Sequence, residues 1–285
     1  MLKKFLPAML LALGILPSGI HAQTSSFNFQ LFDVPNSAST EADNINARGD
    51  IVGFFFDQAG RQHGFFHSGS TFTQLDFPSA TATKTVGLNN RDDIVGAFTD
   101  ASGVQHGLLR EGATFIQIDF PGAVSTQALS INDSREIAGS FTDTAGRTHG
   151  FTDVAGTFTQ IDFPGGTNTN AFGINNRGEI VGAFVDPSGA ERAFLKTGNT
   201  FTQINPPGST SAFAFGLNAR TSIIGSFTDA SGNGHGFLNQ NGTFVQLDFP
   251  GAASTDGDGL NAEGTIVGDF FTAAGVEHGY IASSK

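Results

Sequence analysis

From Phe27 onward the chain alternates short apolar runs with clusters of Gly, Asn, Asp and Ser, and no stretch sustains a helical period. Around residue 140 the pattern predicts four strands in succession. Gln127–Asn132 is the first, and Asp133-Ser134-Arg135 turns the chain into Glu136–Thr142. Asp143-Thr144-Ala145-Gly146 carries the Asp and Gly of a tight turn, followed by a strand over Arg147–Thr152. Ala155-Gly156 turns into Thr157–Phe163, which Pro164 ends because proline cannot donate to a ladder.

The same pattern returns six times at a spacing of 43 residues, over 27–284. Pro35, Pro78, Pro121, Pro164, Pro207 and Pro250 keep that step, as do Asn46, Asn89, Asn132, Asn175, Asn218 and Asn261. Gly53 and its equivalents up to Gly268 are each followed two residues later by Phe. Four short strands per copy is the size of a propeller blade. The expected fold is all-β: a six-bladed β-propeller of four-stranded antiparallel blades, with an open β-solenoid as the alternative.

Turn chemistry sets the register. Asn241-Gly242 is a hairpin signal because both residues tolerate positive φ. Pairing Gln240 with Thr243 puts His235 opposite Asp248, and the same offset pairs His63 with Asp76, His106 with Asp119 and His149 with Asp162. The fourth copy has Arg192 and Asn205 instead, so both members of the pair change together. His278 has no following strand, whereas Phe27–Val34 is a fourth strand without the three that should precede it. Ring closure would bring Asp33 to His278, with the N-terminal strand completing the last blade.

The motifs L-N-N-R-G-D-I-V-G and H-G-F resemble the HAF-repeat family of bacterial extracellular proteins, across all six copies. No copy reads H-A-F: His63, His149, His235 and His278 begin H-G-F or H-G-Y, His106 begins H-G-L, and the fourth copy reads Arg192-Ala193-Phe194. The resemblance implies an exported repeat protein and brings no catalytic residues.

The N-terminus agrees with export. Lys3 and Lys4 precede an apolar run from Phe5 to Leu16, and Ile20-His21-Ala22 offers a cleavage site before Gln23. That run suits a signal peptide over 1–22 and is too short to span a bilayer. The expected organisation is this leader followed by one propeller domain over 23–285, secreted or periplasmic, with no membrane insertion after cleavage. The chain has no Cys, so stability must come from its core and from ring closure. Its net charge of −12 and its lack of a basic patch exclude nucleic acid as a partner.

Catalytic signatures are absent: there is no G-x-S-x-G elbow and no phosphate-cradling loop before a helix. The N-N-R-G-D stretches lack the alternating acids of a calcium loop. Five histidines spread round a ring cannot converge on one ion, and each already faces an Asp. The informative positions are those where the copies disagree. One reads Glu41, Lys84, Gln127, Asn170, Phe213 and Asp256, and two residues on the copies read Asp43, Val86, Leu129, Phe172, Phe215 and Asp258. In a propeller both rings should lie near the mouth of the central channel, with Glu41, Asp43, Asp256 and Asp258 clustered by closure. Four carboxylates there could hold Ca²⁺, contact sugar hydroxyls or form a solvated rim. The leading functional expectation is a non-catalytic binding module for a glycan or protein partner. The alternatives are a propeller hydrolase or lactonase with a channel-bound cation, and a structural surface or matrix protein.

Overall fold

The computed structural model describes residues 27–285, so the expected leader over 1–22 lies outside the described residues. Twenty-four strands form six antiparallel four-stranded sheets. The first blade contains β2 (Ser39–Ile45), β3 (Ile51–Phe56), β4 (Gln62–Ser68) and β5 (Thr71–Leu75). The third contains β10 (Ser125–Ile131), β11 (Glu136–Thr142), β12 (Thr148–Val154) and β13 (Thr157–Ile161), within two residues of the strand bounds expected from the sequence. Strands β6–β9 (82–118), β14–β17 (167–203) and β18–β21 (211–247) build the second, fourth and fifth blades. The sixth blade is β22 (Ser254–Leu260), β23 (Ile266–Phe271) and β24 (Glu277–Ser284), completed by β1 (Phe27–Leu31). The first strands of successive blades touch in a closed cycle, β22 meeting β2, which makes the fold a six-bladed propeller and rules out the open solenoid.

Closure rests on several bonds. Strand β1 pairs with β24 from Phe27↔Ser284 to Leu31↔Tyr280. Phe32 N–H donates to Gly279 O at 2.9 Å, and Asp33 Oδ2 lies 2.9 Å from His278 Nδ1. On the axis the repeated asparagines form a second closure. The side-chain amide of Asn89 donates to Asn132 O, Asn132 to Asn175 O, Asn175 to Asn218 O, Asn218 to Asn261 O and Asn261 to Asn46 O. Each asparagine Oδ1 also accepts N–H groups of its own turn, as Asn218 does from Arg220 and Ser222. In five of the six copies one side chain therefore shapes the turn and stitches it to the next blade, while the Asn46 amide donates to Asp50 of its own turn.

Blades pack through stacked aromatics. The Phe of D-F-P lies flat on the Phe of the next blade's second strand, with ring centroids 3.6 Å apart for Phe77–Phe98 and 3.7 Å for Phe120–Phe141. The second ring of the stack then covers its blade's histidine where there is one, at 5.2 Å for Phe98–His106 and Phe141–His149. Inside the blades Phe65, Phe151, Phe194, Phe237 and Tyr280 are fully buried at equivalent positions. The glycine of I-V-G exists for close approach: a Cβ on Gly53 would overlap the carbonyl oxygen of Glu41 and the Phe65 ring.

Candidate functional site

That close approach is coupled to a β-bulge. In the first blade the β2–β3 register skips from Ala42 to Asn44, leaving Asp43 unpaired. The equivalent skips leave out Val86, Leu129, Phe172, Phe215 and Asp258. A bulge re-aims the side chain it frees, and here it turns the second variable ring toward the axis. The first ring stays paired, as Glu41↔Phe54 and Asp256↔Asp269. These pairs sit at the end of the strands away from the asparagine turns, so the channel has an amide-lined end and an acidic and aromatic end.

A cavity of about 400 Å³ occupies the second end. All six bulged residues line it, as do Glu41, Lys84 and Asp256 of the first ring. Gln127, Asn170 and Phe213, expected beside them, do not line it. On that side the bulged residues are the bulky Leu129, Phe172 and Phe215. The Phe172 and Phe215 rings meet edge-on at 5.3 Å, and Phe213 lies parallel to Phe215 at 5.9 Å. The wall there is made by the bulged ring alone.

Four further lining residues come from the second and third strands: Phe54, Asp269, Phe271 and Glu277. Sequence reasoning missed them, although the signal existed. The position after the repeated Gly reads Phe54, Ala97, Ser140, Ala183, Ser226 and Asp269, with four residue types, as many as the second of the two rings. The result is a two-sided chamber: six carboxylates supplied by the first and sixth blades beside Phe54 and Phe271, and the Phe172 and Phe215 rings of the fourth and fifth blades across from them, with Lys84 the one basic residue in the lining.

Such crowding cannot sustain full ionisation. Burial, then the charges of Glu277 and Asp256, push the Glu41 carboxyl up to about 7 against the pull of Lys84. Burial and the neighbouring Glu41 hold Asp43 well above the ordinary carboxylate range. Asp258 and Asp269 are raised in the same way, by burial and then by each other's or Glu41's charge. Asp256 and Glu277 are raised chiefly by burial. At neutral pH the chamber therefore holds protons that a cationic or hydrogen-bonding ligand would displace or share.

The histidines sit elsewhere. Nδ1 of His63, His106, His149 and His235 lies 2.9, 2.8, 2.7 and 2.8 Å from Asp76, Asp119, Asp162 and Asp248. On the other side Nε2 approaches the turn aspartate, at 3.4 Å for His63–Asp57. In the fourth blade Arg192 Nε instead donates to Asp186 at 2.9 Å, while Asn205 Oδ1 accepts the Ala193 N–H. Each histidine is thus a cross-strand clip between two loops of its own blade, and the clips do not converge.

The fold and chamber define a β-propeller with a ligand-sized cavity on its axis. No family model matches the chain. No curated protein matches it in sequence. Solved structures share the fold. A variant of the Aleuria aurantia lectin in complex with Fucα1-6GlcNAc is similar with a TM-score of 0.55 at 12% identity, over 87% of this chain and 94% of that one. AofleA from Arthrobotrys oligospora gives 0.56 at 13% identity, over 95% and 94%. Trypanosoma rangeli sialidase gives 0.52 at 9% identity, over 91% of this chain and 57% of that one.

Proposed function

We propose that the protein is a non-catalytic binding module that takes a carbohydrate in the channel chamber. The observation that carries this reading is the pairing in one cavity of a carboxylate-rich side with a face formed by Phe172 and Phe215. Sugars present hydroxyl donors on their edges and C–H groups on their faces, so the two walls complement the two kinds of surface. The volume of about 400 Å³ suits one or two sugar rings rather than a polymer threaded through the ring. Propellers of the same architecture include lectins, one of them in complex with a fucosylated disaccharide, which supports the reading by analogy of fold.

We further infer that the chain is an exported member of the HAF-repeat family, secreted or periplasmic, with a leader over 1–22 cleaved after Ala22; N-terminal sequencing of the exported protein tests this. Glycan-array screening followed by calorimetry tests the binding. Phe215→Ala and Asp256→Asn should each weaken a captured glycan by about tenfold or more, the loss expected for one stacking contact or one charged hydrogen bond. An array without a hit, or a hit indifferent to both variants, sinks the proposal. A second reading, hydrolase or lactonase, draws on Glu41, whose carboxyl titrates at about 7 as a general acid would. Turnover of aryl glycosides or lactones that Glu41→Gln abolishes would favour it over the module.

A further inference from the structure

We propose that the acidic side of the chamber is a divalent-cation site, selective for Ca²⁺, with Glu41, Asp269 and Glu277 as its protein ligands. The proposal shares a cavity with the carbohydrate reading and does not rest on it.

Geometry comes first. One carboxylate oxygen from each of these three residues lies within 4.8 Å of the others. Ca²⁺ binds oxygen at about 2.3–2.6 Å, so two ligands of one ion stand at most about twice that distance apart. The trio therefore meets the spacing that a shared ion demands.

The second observation is independent of the trio's spacing. Asp43 and Asp269 are only 8% and 4% exposed, both line the chamber, and Oδ2 of each meets no N–H or hydroxyl donor among the described residues, the two side chains having other carboxyls, Glu41 and Asp258, as hydrogen-bonding neighbours. Asp258 Oδ2 is in the same state. Beyond these three, the remaining buried orphan among the described side chains is His67 Nδ1, outside the cavity lining. Buried acceptors without donors are uncommon in folded proteins and signal a missing ligand or ion. Their concentration against one wall of one cavity gives that ligand a place and a sign of charge.

Donor chemistry selects the ion. The lining offers hard carboxylate oxygens, no imidazole and, in a chain without Cys, no thiolate. Zn²⁺ and Cu²⁺ favour nitrogen and sulfur donors. Mg²⁺ demands a compact octahedron and keeps its waters, whereas Ca²⁺ accepts many oxygens in irregular arrangement. Asp43 and Asp258 supply further negative charge against the same wall.

The placement has a structural consequence. Glu41 belongs to β2 of the first blade, and Asp269 and Glu277 belong to β23 and β24 of the sixth. The ion would bridge the two blades that meet where the chain closes. No other copy has an acid at the position of Asp269, which elsewhere is Phe54, Ala97, Ser140, Ala183 or Ser226. The site is therefore made once, at the seam, although the scaffold is repeated six times.

The test is calorimetric titration of EDTA-stripped protein with CaCl₂, with MgCl₂ in parallel, alongside thermal melts. The expected result is one equivalent of Ca²⁺ bound more tightly than Mg²⁺. The melting temperature should rise by roughly 5–10 °C at a hundredfold excess over Kd, by mass action on the folded state. Asp269→Ser places in the sixth blade the residue that two other blades fold with, so it keeps the scaffold. It and Glu277→Gln should each weaken Ca²⁺ at least tenfold, and Asp269→Ser should raise the melting temperature of the stripped protein by relieving repulsion. No heat and no thermal shift with millimolar Ca²⁺ overturns the proposal, as does binding that both variants leave unchanged. Mg²⁺ bound as tightly as Ca²⁺ overturns the selectivity. Calcium binding with no glycan captured would remove the carbohydrate reading alone, and the reverse result would remove the cation site alone.

Discussion

Phe32→Ala tests whether the N-terminal strand holds the ring shut. Phe32 follows β1 directly and is 8% exposed. Its ring packs against those of Phe65, His67 and Phe72 in the first blade, at centroid distances of 6.1, 5.1 and 5.2 Å. Its backbone N–H meanwhile bonds Gly279 in the sixth blade. The side chain and the backbone of one residue thus join the two ends of the ring. Truncating a buried Phe to Ala removes its transfer energy and leaves a cavity, costing about 3–5 kcal/mol. For a chain of this size each kcal/mol moves the melting temperature by roughly 2–4 °C, so a fall of roughly 6–20 °C is expected. Leu31→Ala is the control. That neighbour is 59% exposed, and its truncation should stay within about 0.5 kcal/mol. Melts followed by circular dichroism at two scan rates separate an equilibrium shift from a kinetic one. If Phe32→Ala melts within about 2 °C of Leu31→Ala, less than one kcal/mol separates them and the seam does not carry the closure assigned to it.

Other expectations follow from single groups. Tyr280 fills a site that is Phe in four blades and donates its hydroxyl to Asp256 O at 2.8 Å; Tyr280→Phe should cost about 1 kcal/mol, read as a small drop in Tm without loss of fold. Asn218→Ala removes one link of the axial amide ring together with the acceptor for two turn N–H groups; a loss of about 1–3 kcal/mol is expected in denaturant titration, and no loss would make the ring ornamental. Two classes of carboxylate shape the pH profile of chelated protein in opposite directions. The turn aspartates are held low: Asp229 falls to about 2 because its carboxylate accepts the Asn233 N–H, and Asp143 and Asp186 lie lower still. Their contribution is present above the unfolded value and is lost as pH falls through the folded one. Glu41 is raised, from 4.5 to about 7, so its contribution is present below the lower value and is lost as pH rises through that window. Tm in EDTA should therefore peak near pH 4–5 and fall on both sides; a plateau from pH 5 to 8 would contradict the buried acidic wall.

Much of the architecture is legible in the sequence because the repeat turns local signals into global ones. Six copies of one turn asparagine, one glycine and one proline counted the blades, and the unmatched His278 and Asp33 pointed to the seam. Half of the chamber was legible by the same device, through positions where the copies disagree. What escaped was geometry that strand periodicity does not encode. A period of two gives no sign that Asp43 and its equivalents are bulged out of the ladder. It also gives no sign that the second strand's variable residue reaches the axis, so Asp269 was overlooked while Gln127, Asn170 and Phe213 were expected in the lining. The stacking of Phe77 on Phe98 was likewise unreadable, because contacts between blades join residues whose separation follows from ring geometry rather than from any hairpin.

The distribution of asymmetry is the remaining clue to function. A closed ring of equal blades requires only that each blade fit its neighbour, and asparagine links at five junctions and stacked phenylalanines at four supply most of that fit. Nothing in closure calls for carboxylates to gather in two adjacent blades, or for Phe172 and Phe215 to meet across the channel from them. Burying like charges works against stability, as the raised carboxyls of Asp43, Asp258 and Asp269 show. A scaffold that otherwise repeats its stabilising contacts so faithfully has departed from them at one end of one channel, in the direction that costs stability. Such a departure is the expected mark of a binding site, where local rules are broken for a ligand that restores the balance.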